Sequence, residues 1–392
     1  MNKLKILELF GGIGACSKAL EKLGIDYEIA DYVEIDKYAT KSFNAIHNTK
    51  FEPQDITTWN KDIKVDLVMH GSPCQDFSLA GKQAGGDEGS GTRSSLMYET
   101  LRIVESLKPK YVIWENVKNI ISKKHVHNFN NYINRMSELG YKSFYKVLNA
   151  KDYGIPQNRE RVFTISIRND IDKEFIFPEK KELKLKLKDM LEDEVDEKYI
   201  ISDKLKIYYD RKIKQGWRKE LHLEDNEVSS TICNPARNNI NDTFVRCKQV
   251  GNLVGGKWDK INESCRRVYS ENGLSPTIHT CQGGNTEPKV IGGIGEKKSN
   301  GGTQWYQQDR IYDNNVGLSL STTAQPYYPD KQLRIRKLTP CECWKLMGFD
   351  KSDFEKASKV CSNAQLYKQA GNSIVVNVLM AIFNELLKKE GE

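Results

Sequence analysis

A cysteine stands in the segment Gly71-Ser72-Pro73-Cys74-Gln75-Asp76-Phe77-Ser78-Leu79-Ala80-Gly81, directly after the apolar run Val65-Asp66-Leu67-Val68-Met69-His70. A thiol just past a buried strand is where an enzyme places a nucleophile, because its reactive thiolate needs both access and a managed pKa. A buried structural cysteine is the other reading of the same residue. The segment Gly81 to Gly91 has five glycines in eleven residues and reads as a functional loop or as a flexible linker. Glu115 follows the β-rich run Tyr111-Val112-Ile113-Trp114. A carboxyl at that end of a strand points into the ligand crevice of an α/β sheet. Arg159 and Arg161 alternate in Gln157-Asn158-Arg159-Glu160-Arg161, just ahead of another strand. They bring positive charge to a site or to the surface.

A second group has the residue types that a nucleotide needs. Phe10-Gly11-Gly12-Ile13-Gly14 lies between the first strand and the first helix. Glycines there admit close backbone approach, and the helix start offers free N–H groups. Glu34 comes 20 residues after Gly14, at the end of the second strand, where a carboxylate accepts from both ribose hydroxyls. The turn lacks the third glycine of a dinucleotide fingerprint. Asp55, within Pro53-Gln54-Asp55-Ile56, lies where a third strand would end. It has the chemistry to accept from an adenine amino group, and it also reads as an ordinary turn aspartate.

These residues need a scaffold, and the first 170 residues supply one. Strand-like runs at 5–10, 27–34, 66–70, 111–114, 145–148 and 162–167 alternate with helical periodicity at 15–23, up to His47, at 95–107 and at 129–139. That alternation predicts an α/β fold with a parallel, doubly wound sheet. A charge run at 181–188 reads as a solvated linker or helix face. Between about 190 and 330 helical periodicity is sparse, and Gly, Asn, Ser and Thr increase, which predicts short strands and long loops. Three segments there align, 227–232, 273–278 and 317–322, at intervals of 46 and 44 residues. Such a period suggests a duplicated supersecondary unit. Thr339-Pro340 predicts a helix start, and Asn372 to Leu387 a final amphipathic helix.

At 392 residues the chain is long enough for two domains. Its net charge of +7 permits nucleic acid as a partner without requiring it. Nine scattered cysteines, with no C-x-x-C pair, speak against a disulfide framework or a zinc site and for a reducing, cytoplasmic setting. Glu8 interrupts any signal-peptide core, and no apolar stretch approaches a membrane span.

Six motifs, in order, resemble those of the DNA cytosine-5 methyltransferase family. They are Phe10-Gly11-Gly12-Ile13-Gly14, Gly71-Ser72-Pro73-Cys74-Gln75, Glu115-Asn116-Val117, Gln157-Asn158-Arg159-Glu160-Arg161, Arg336-Lys337-Leu338-Thr339-Pro340 and Gly371-Asn372-Ser373. They cover roughly residues 4–170 and 333–388. The resemblance implies a Rossmann-like S-adenosylmethionine-dependent methyltransferase domain. Its parts would be residues 1–180 and a completing segment 333–392, with a smaller, mostly β target-recognition domain inserted at 181–332. It implies that Cys74 adds to cytosine, that Glu115 works at ring N3, and that Arg161 with Arg159 binds the O2 edge. Cofactor contacts would come from Phe10, Gly12, Ile13, Gly14, Glu34, Ile35, Asp55, Ile56, Gly71, Pro73 and Asn372. Gln75 would lie near the vacated base stack. Arg237, Arg267, Gln282 and Arg310 are the candidate DNA contacts in the insert, because Arg suits guanine and Gln suits adenine. The implied partners are duplex DNA and a separate cognate restriction endonuclease where one exists, with a monomer expected and no membrane.

Three departures stand out. Ser72 occupies a position where the family often has phenylalanine or proline, and Asn158 one where a basic residue is common. Asp76 places a negative charge two residues after the thiol, which raises the thiol pKa if it turns inward. We expect it to face solvent. The competing readings are a tRNA cytosine methylase, a catalytically dead sensor and a nicotinamide dehydrogenase. The long insert argues against the first, the presence of Cys74 and Glu115 against the second, and the incomplete glycine pattern against the third.

Overall fold

The computed structural model describes residues 3–73, 86–87, 89–199, 206–207, 249–254, 267–270, 289–294 and 332–388. The chain divides into two compact units. The first comprises Met1–Ile155, Arg159–Lys184 and Trp344–Glu392; the second comprises Pro156–Asn158 and Leu185–Cys343.

The first unit is built on six strands: β1 (Leu4–Leu9), β2 (Tyr27–Val33), β3 (Leu67–His70), β4 (Tyr111–Val117), β5 (Tyr141–Asn149) and β6 (Glu160–Arg168). Their order is β2-β1-β3-β4-β6-β5. Neighbours among β2, β1, β3 and β4 pair parallel, as the alternating texture predicts. The expectation of a wholly parallel sheet needs correcting at β6, which runs antiparallel to both β4 and β5. The reason is connection length. Between β5 and β6 lies only the segment 150–159, with one short 3₁₀ turn at Ala150–Tyr153. A parallel crossover needs about a dozen residues or more, usually a helix. The chain therefore turns back beside β5 and inserts β6 next to β4.

Helices α1 (Ala15–Lys22), α2 (Lys37–His47), α3 (Met97–Leu107) and α4 (Val126–Glu138) follow the strands as the periodicity predicts. Strand side chains alternate between faces. Leu7, Leu9, Val68, Val112, Trp114 and Val162 share one buried core with Met97, Leu101 and Val104 of α3 and Phe129, Tyr132 and Met136 of α4. Glu8 has the opposite parity and reaches α1, where it accepts from the Ser17 amide at 3.1 Å and from the Ser17 hydroxyl. Thus α1 covers the other face. No strand forms around Asp55, contrary to the placement at a third strand's end; the third strand is β3. Side chains hold that segment instead. The Gln54 amide donates to Asp31 at 3.0 Å and to the Tyr32 carbonyl at 2.7 Å.

The C-terminal helices are α5 (Pro340–Lys345), α6 (Lys351–Ser358), α7 (Asn363–Asn372) and α8 (Val376–Leu386). The predicted start at Thr339-Pro340 carries a reciprocal cap. The Glu342 amide donates to the Thr339 hydroxyl at 3.1 Å, and the Thr339 amide to the Glu342 carboxylate at 2.7 Å. The predicted single helix from Asn372 to Leu387 is corrected: Asn372 ends α7, Ser373 is extended, and α8 starts afresh at Val376. In the first unit α8 packs on α1 and α6 on α2. The buried Lys18 of α1 pairs with Asp353 of α6 at 3.0 Å, tying together chain segments 335 residues apart.

The second unit contains β7 (Lys206–Ile207), β8 (Gln249–Val254), β9 (Arg267–Ser270), β10 (Lys289–Ile294) and β11 (Gln332–Lys337), in the order β11-β10-β9-β8-β7. β9 and β10 pair parallel; the other neighbours are antiparallel. The three aligned segments at 227–232, 273–278 and 317–322 lie outside the described residues. Among the described residues no helix is long and apolar enough to cross a membrane, and no group of His, Cys, Asp and Glu could hold a metal.

Candidate active site

Two clusters form at the carboxyl ends of the parallel strands in the first unit. The first follows β1 and β2. Phe10, Gly12 and Gly14 have φ of 52°, 55° and 81°, a left-handed turn that lifts the backbone away from the sheet before α1 begins. At Gly14 a Cβ would lie 2.2 Å from the His47 Nε2 and 2.8 Å from the Phe43 ring, so only glycine fits. At Gly12 a Cβ would meet nothing within 4 Å, so the turn faces open space. The Glu34 carboxylate accepts from the Gly12 amide at 3.2 Å and from the Asp36 amide at 2.8 Å. Burial raises its pKa, and these amides oppose that rise. Ile35 beside it is 69% exposed, an apolar side chain in need of a cover. Asp55 is exposed and accepts from the Thr57 amide and hydroxyl, both at 2.9 Å. Ile13 and Ile56 are buried in the core, and Arg102 holds the Ile56 carbonyl at 2.9 Å.

The second cluster follows β3 and β4. Glu115 lies within β4, which runs on to Val117 rather than ending at Trp114, and its buried carboxylate pairs with the Arg161 guanidinium of β6 at 3.1 Å. The reversed strand makes this pair: Val117 faces Arg161 in the β4–β6 register. Burial pushes the Glu115 pKa up, and Arg161 and then Arg159 pull it down. Gly71 stands close by; a Cβ there would lie 3.6 Å from the Glu115 Oε2 and 3.4 Å from Ile374. Ser72 is buried, and Pro73 half-buried.

Arg159 stands near the same carboxyl but has other hydrogen-bond partners. Its guanidinium donates to the carbonyls of Gly371 at 3.1 Å and Ser373 at 2.8 Å, the groups freed where α7 ends. Asn372, between them, is exposed. The structure thus gathers Gly71, Glu115, Arg159 and Arg161 at one locus and Gly12, Gly14 and Glu34 at the other. Cys74, Gln75, Asp76, Arg237, Gln282 and Arg310 lie outside the described residues, and Arg267 is described only by its place on β9. Sequence reasoning missed Trp114, whose indole N–H donates to the Ser72 hydroxyl at 2.9 Å. An aromatic residue next to Glu115 was the available signal.

Known proteins resemble this chain in sequence and in fold. The profile of the family described as C-5 cytosine-specific DNA methylase matches residues 4–388. The chain belongs to that family. The methylase is 31% identical to the orphan methyltransferase M.Rho11sI of Bacillus phage rho11s, over 99% of this chain and 98% of that one. It is 32% identical to the type II methyltransferase M.HhaI of Haemophilus parahaemolyticus, over 97% and 93%. Its fold resembles that of the Schizosaccharomyces pombe Dnmt2 methyltransferase, with a TM-score of 0.59, 17% identity and 98% of each chain covered. The methylase is therefore a DNA (cytosine-5)-methyltransferase, an enzyme class that uses S-adenosylmethionine. The first cluster fits that cofactor: an open glycine turn for close approach, a fixed carboxylate for a ribose and an exposed isoleucine for a flat ring.

Proposed function

We propose that the methylase transfers a methyl group from S-adenosylmethionine to carbon 5 of a cytosine in a specific duplex sequence, after the base has left the helix. When bound, the cofactor supplies an electrophilic methyl group. The first cluster binds and orients it: Glu34 holds the ribose, Phe10, Ile35, Asp55 and Ile56 flank the adenine, and Gly12, Ile13, Gly14, Gly71, Pro73 and Asn372 line the rest.

Carbon 5 of cytosine is a poor nucleophile. The Cys74 thiolate adds to carbon 6, and the ring becomes an enamine whose carbon 5 takes up the methyl group. Glu115 delivers or shares a proton at N3 and so relieves the charge that builds up. Its raised pKa suits a proton donor. Arg161 stabilises the same charge from the O2 edge, with Arg159 behind it. Loss of the carbon 5 proton expels the Cys74 thiolate and restores the aromatic ring. Flipping costs roughly a few kcal/mol of lost stacking and pairing. The glycine-rich segment after Cys74 closes over the base, with Gln75 near the vacated stack.

Residues 181–332 serve as the target-recognition domain, with Arg237, Arg267, Gln282 and Arg310 as DNA contacts. Residues 1–180 and 333–392 form the catalytic domain. The phage orphan and type II relatives favour a modification enzyme, either alone or paired with a restriction endonuclease; on this reading it works in the cytoplasm as a monomer. The observation that carries this reading is the buried Glu115–Arg161 pair beside Gly71, at the start of the Cys74 segment. The test is transfer of labelled methyl from S-adenosylmethionine to unmethylated duplex DNA and to tRNA. Transfer to DNA supports the reading; transfer to tRNA alone, or to neither, overturns it.

A further inference from the structure

The backbone pairing between β3 and β4 stops at His70 opposite Trp114. Residues 71–73, which follow, join no strand ladder. Side chains take over at that point. The Ser72 hydroxyl accepts from the Trp114 indole N–H at 2.9 Å and from the Asn116 amide at 3.3 Å. The Asn116 amide also donates to the Ser72 carbonyl at 3.4 Å. Both donors flank Glu115 on β4, and Ser72 precedes Cys74 by two residues. Ser72, Trp114 and Asn116 are all buried, so the geometry is shielded from water. Trp114 is itself wedged by Tyr132, with ring centroids 4.2 Å apart, and stacked with Phe129 and His70 at 5.7 and 5.9 Å. The His70 ring in turn shares a 2.8 Å hydrogen bond with the Tyr132 hydroxyl.

We infer that Ser72 and Trp114 are positioning residues that fix the start of the Cys74 segment relative to Glu115. The inference rests on the reading above, in which thiol and carboxyl act on one pyrimidine ring. The two groups must reach opposite edges of that ring at the same moment. A displacement of about 1 Å costs roughly a hundredfold in such geometries. A serine at position 72 supplies the acceptor that the phenylalanine or proline common in the family lacks, and Trp114 supplies the matching donor.

The test is single-turnover methyl transfer to unmethylated genomic DNA by the full chain. Ser72→Ala and Trp114→Phe are each expected to slow the methyl-transfer step about 10- to 100-fold. KM for DNA and for S-adenosylmethionine should stay within about threefold, because neither residue touches either ligand in this account. The double variant should be no slower than the slower single, since the Trp114–Ser72 bond is already gone in each single variant. Ser72→Thr, which keeps the hydroxyl, should recover most of the rate. Full-speed transfer by Ser72→Ala overturns the inference, whatever Trp114→Phe does. So do losses that multiply in the double variant, or a fall confined to KM. Failure of the underlying reading looks different: the unaltered enzyme itself would then transfer no methyl to DNA.

Discussion

At the scale of single residues, Glu115 shows how one carboxyl is prepared. Burial favours its protonated form, while Arg161 at 3.1 Å favours the charged one. Glu115→Gln keeps the shape and removes the titratable proton. It is expected to lower kcat by about 10²- to 10⁴-fold, measured by methyl incorporation, with cofactor affinity little changed. Glu8 provides a pH test of the fold. Burial lifts its pKa from 4.5 to about 7. Between those values the folded chain holds the proton more tightly than the unfolded chain, so Glu8 contributes stability below pH 4.5 that is lost as pH rises through 7. The buried His70 is pushed down to about 3, so it contributes the opposite slope between pH 3 and 6.5. Only a difference isolates Glu8. The melting temperature of Glu8→Gln relative to the unaltered protein should rise as pH goes from 4.5 to 8. A constant difference would contradict the burial argument. Glu115 was legible because a strand's carboxyl end has a known direction. The Ser72–Trp114 bond was not, because contacts between strands 42 residues apart leave no periodic trace.

At the scale of elements, the reversed β6 and the break between α7 and α8 do most to shape the site. The short link after β5 forces β6 antiparallel, and that places Arg161 across from the end of β4. The alternation of strands and helices was readable from hydrophobic period, but strand direction was not. Direction depends on what the connecting chain can span. Likewise the apolar spacing runs on past Asn372 and hides the break. The break leaves carbonyls without helical partners, and buried Arg159 binds two of them. Arg159→Met is expected to destabilise the protein by roughly 1–3 kcal/mol, the cost of leaving buried acceptors unsatisfied. Urea unfolding would show it as a lower midpoint with an unchanged slope. An unchanged midpoint would mean that the two carbonyls do not depend on Arg159.

At the scale of the whole molecule, the first unit is assembled from both ends of the chain. Strand and helix periodicity at each end of the chain is legible without coordinates. The ion pairs that join the ends were not legible, since Lys18 and Asp353 look like ordinary surface charges in sequence. Lys18 is buried against Asp353 and reaches Glu21 and Asp350 as well. Lys18→Met leaves the buried Asp353 carboxylate unpaired and is expected to cost about 3–5 kcal/mol in urea unfolding. A loss under 1 kcal/mol would show that the packing of α8 on α1 and of α6 on α2 holds the ends without this ion pair. The central claim is that this fold brings a thiol, a carboxyl and a methyl donor to one cytosine. Its most direct test is transfer of labelled methyl from S-adenosylmethionine to duplex DNA by the unaltered enzyme and by Cys74→Ala, followed by mapping of the methylated base. The expected result is 5-methylcytosine at a defined sequence with the unaltered enzyme and none with Cys74→Ala. Methylation at another base or atom, or undiminished transfer by Cys74→Ala, would contradict it.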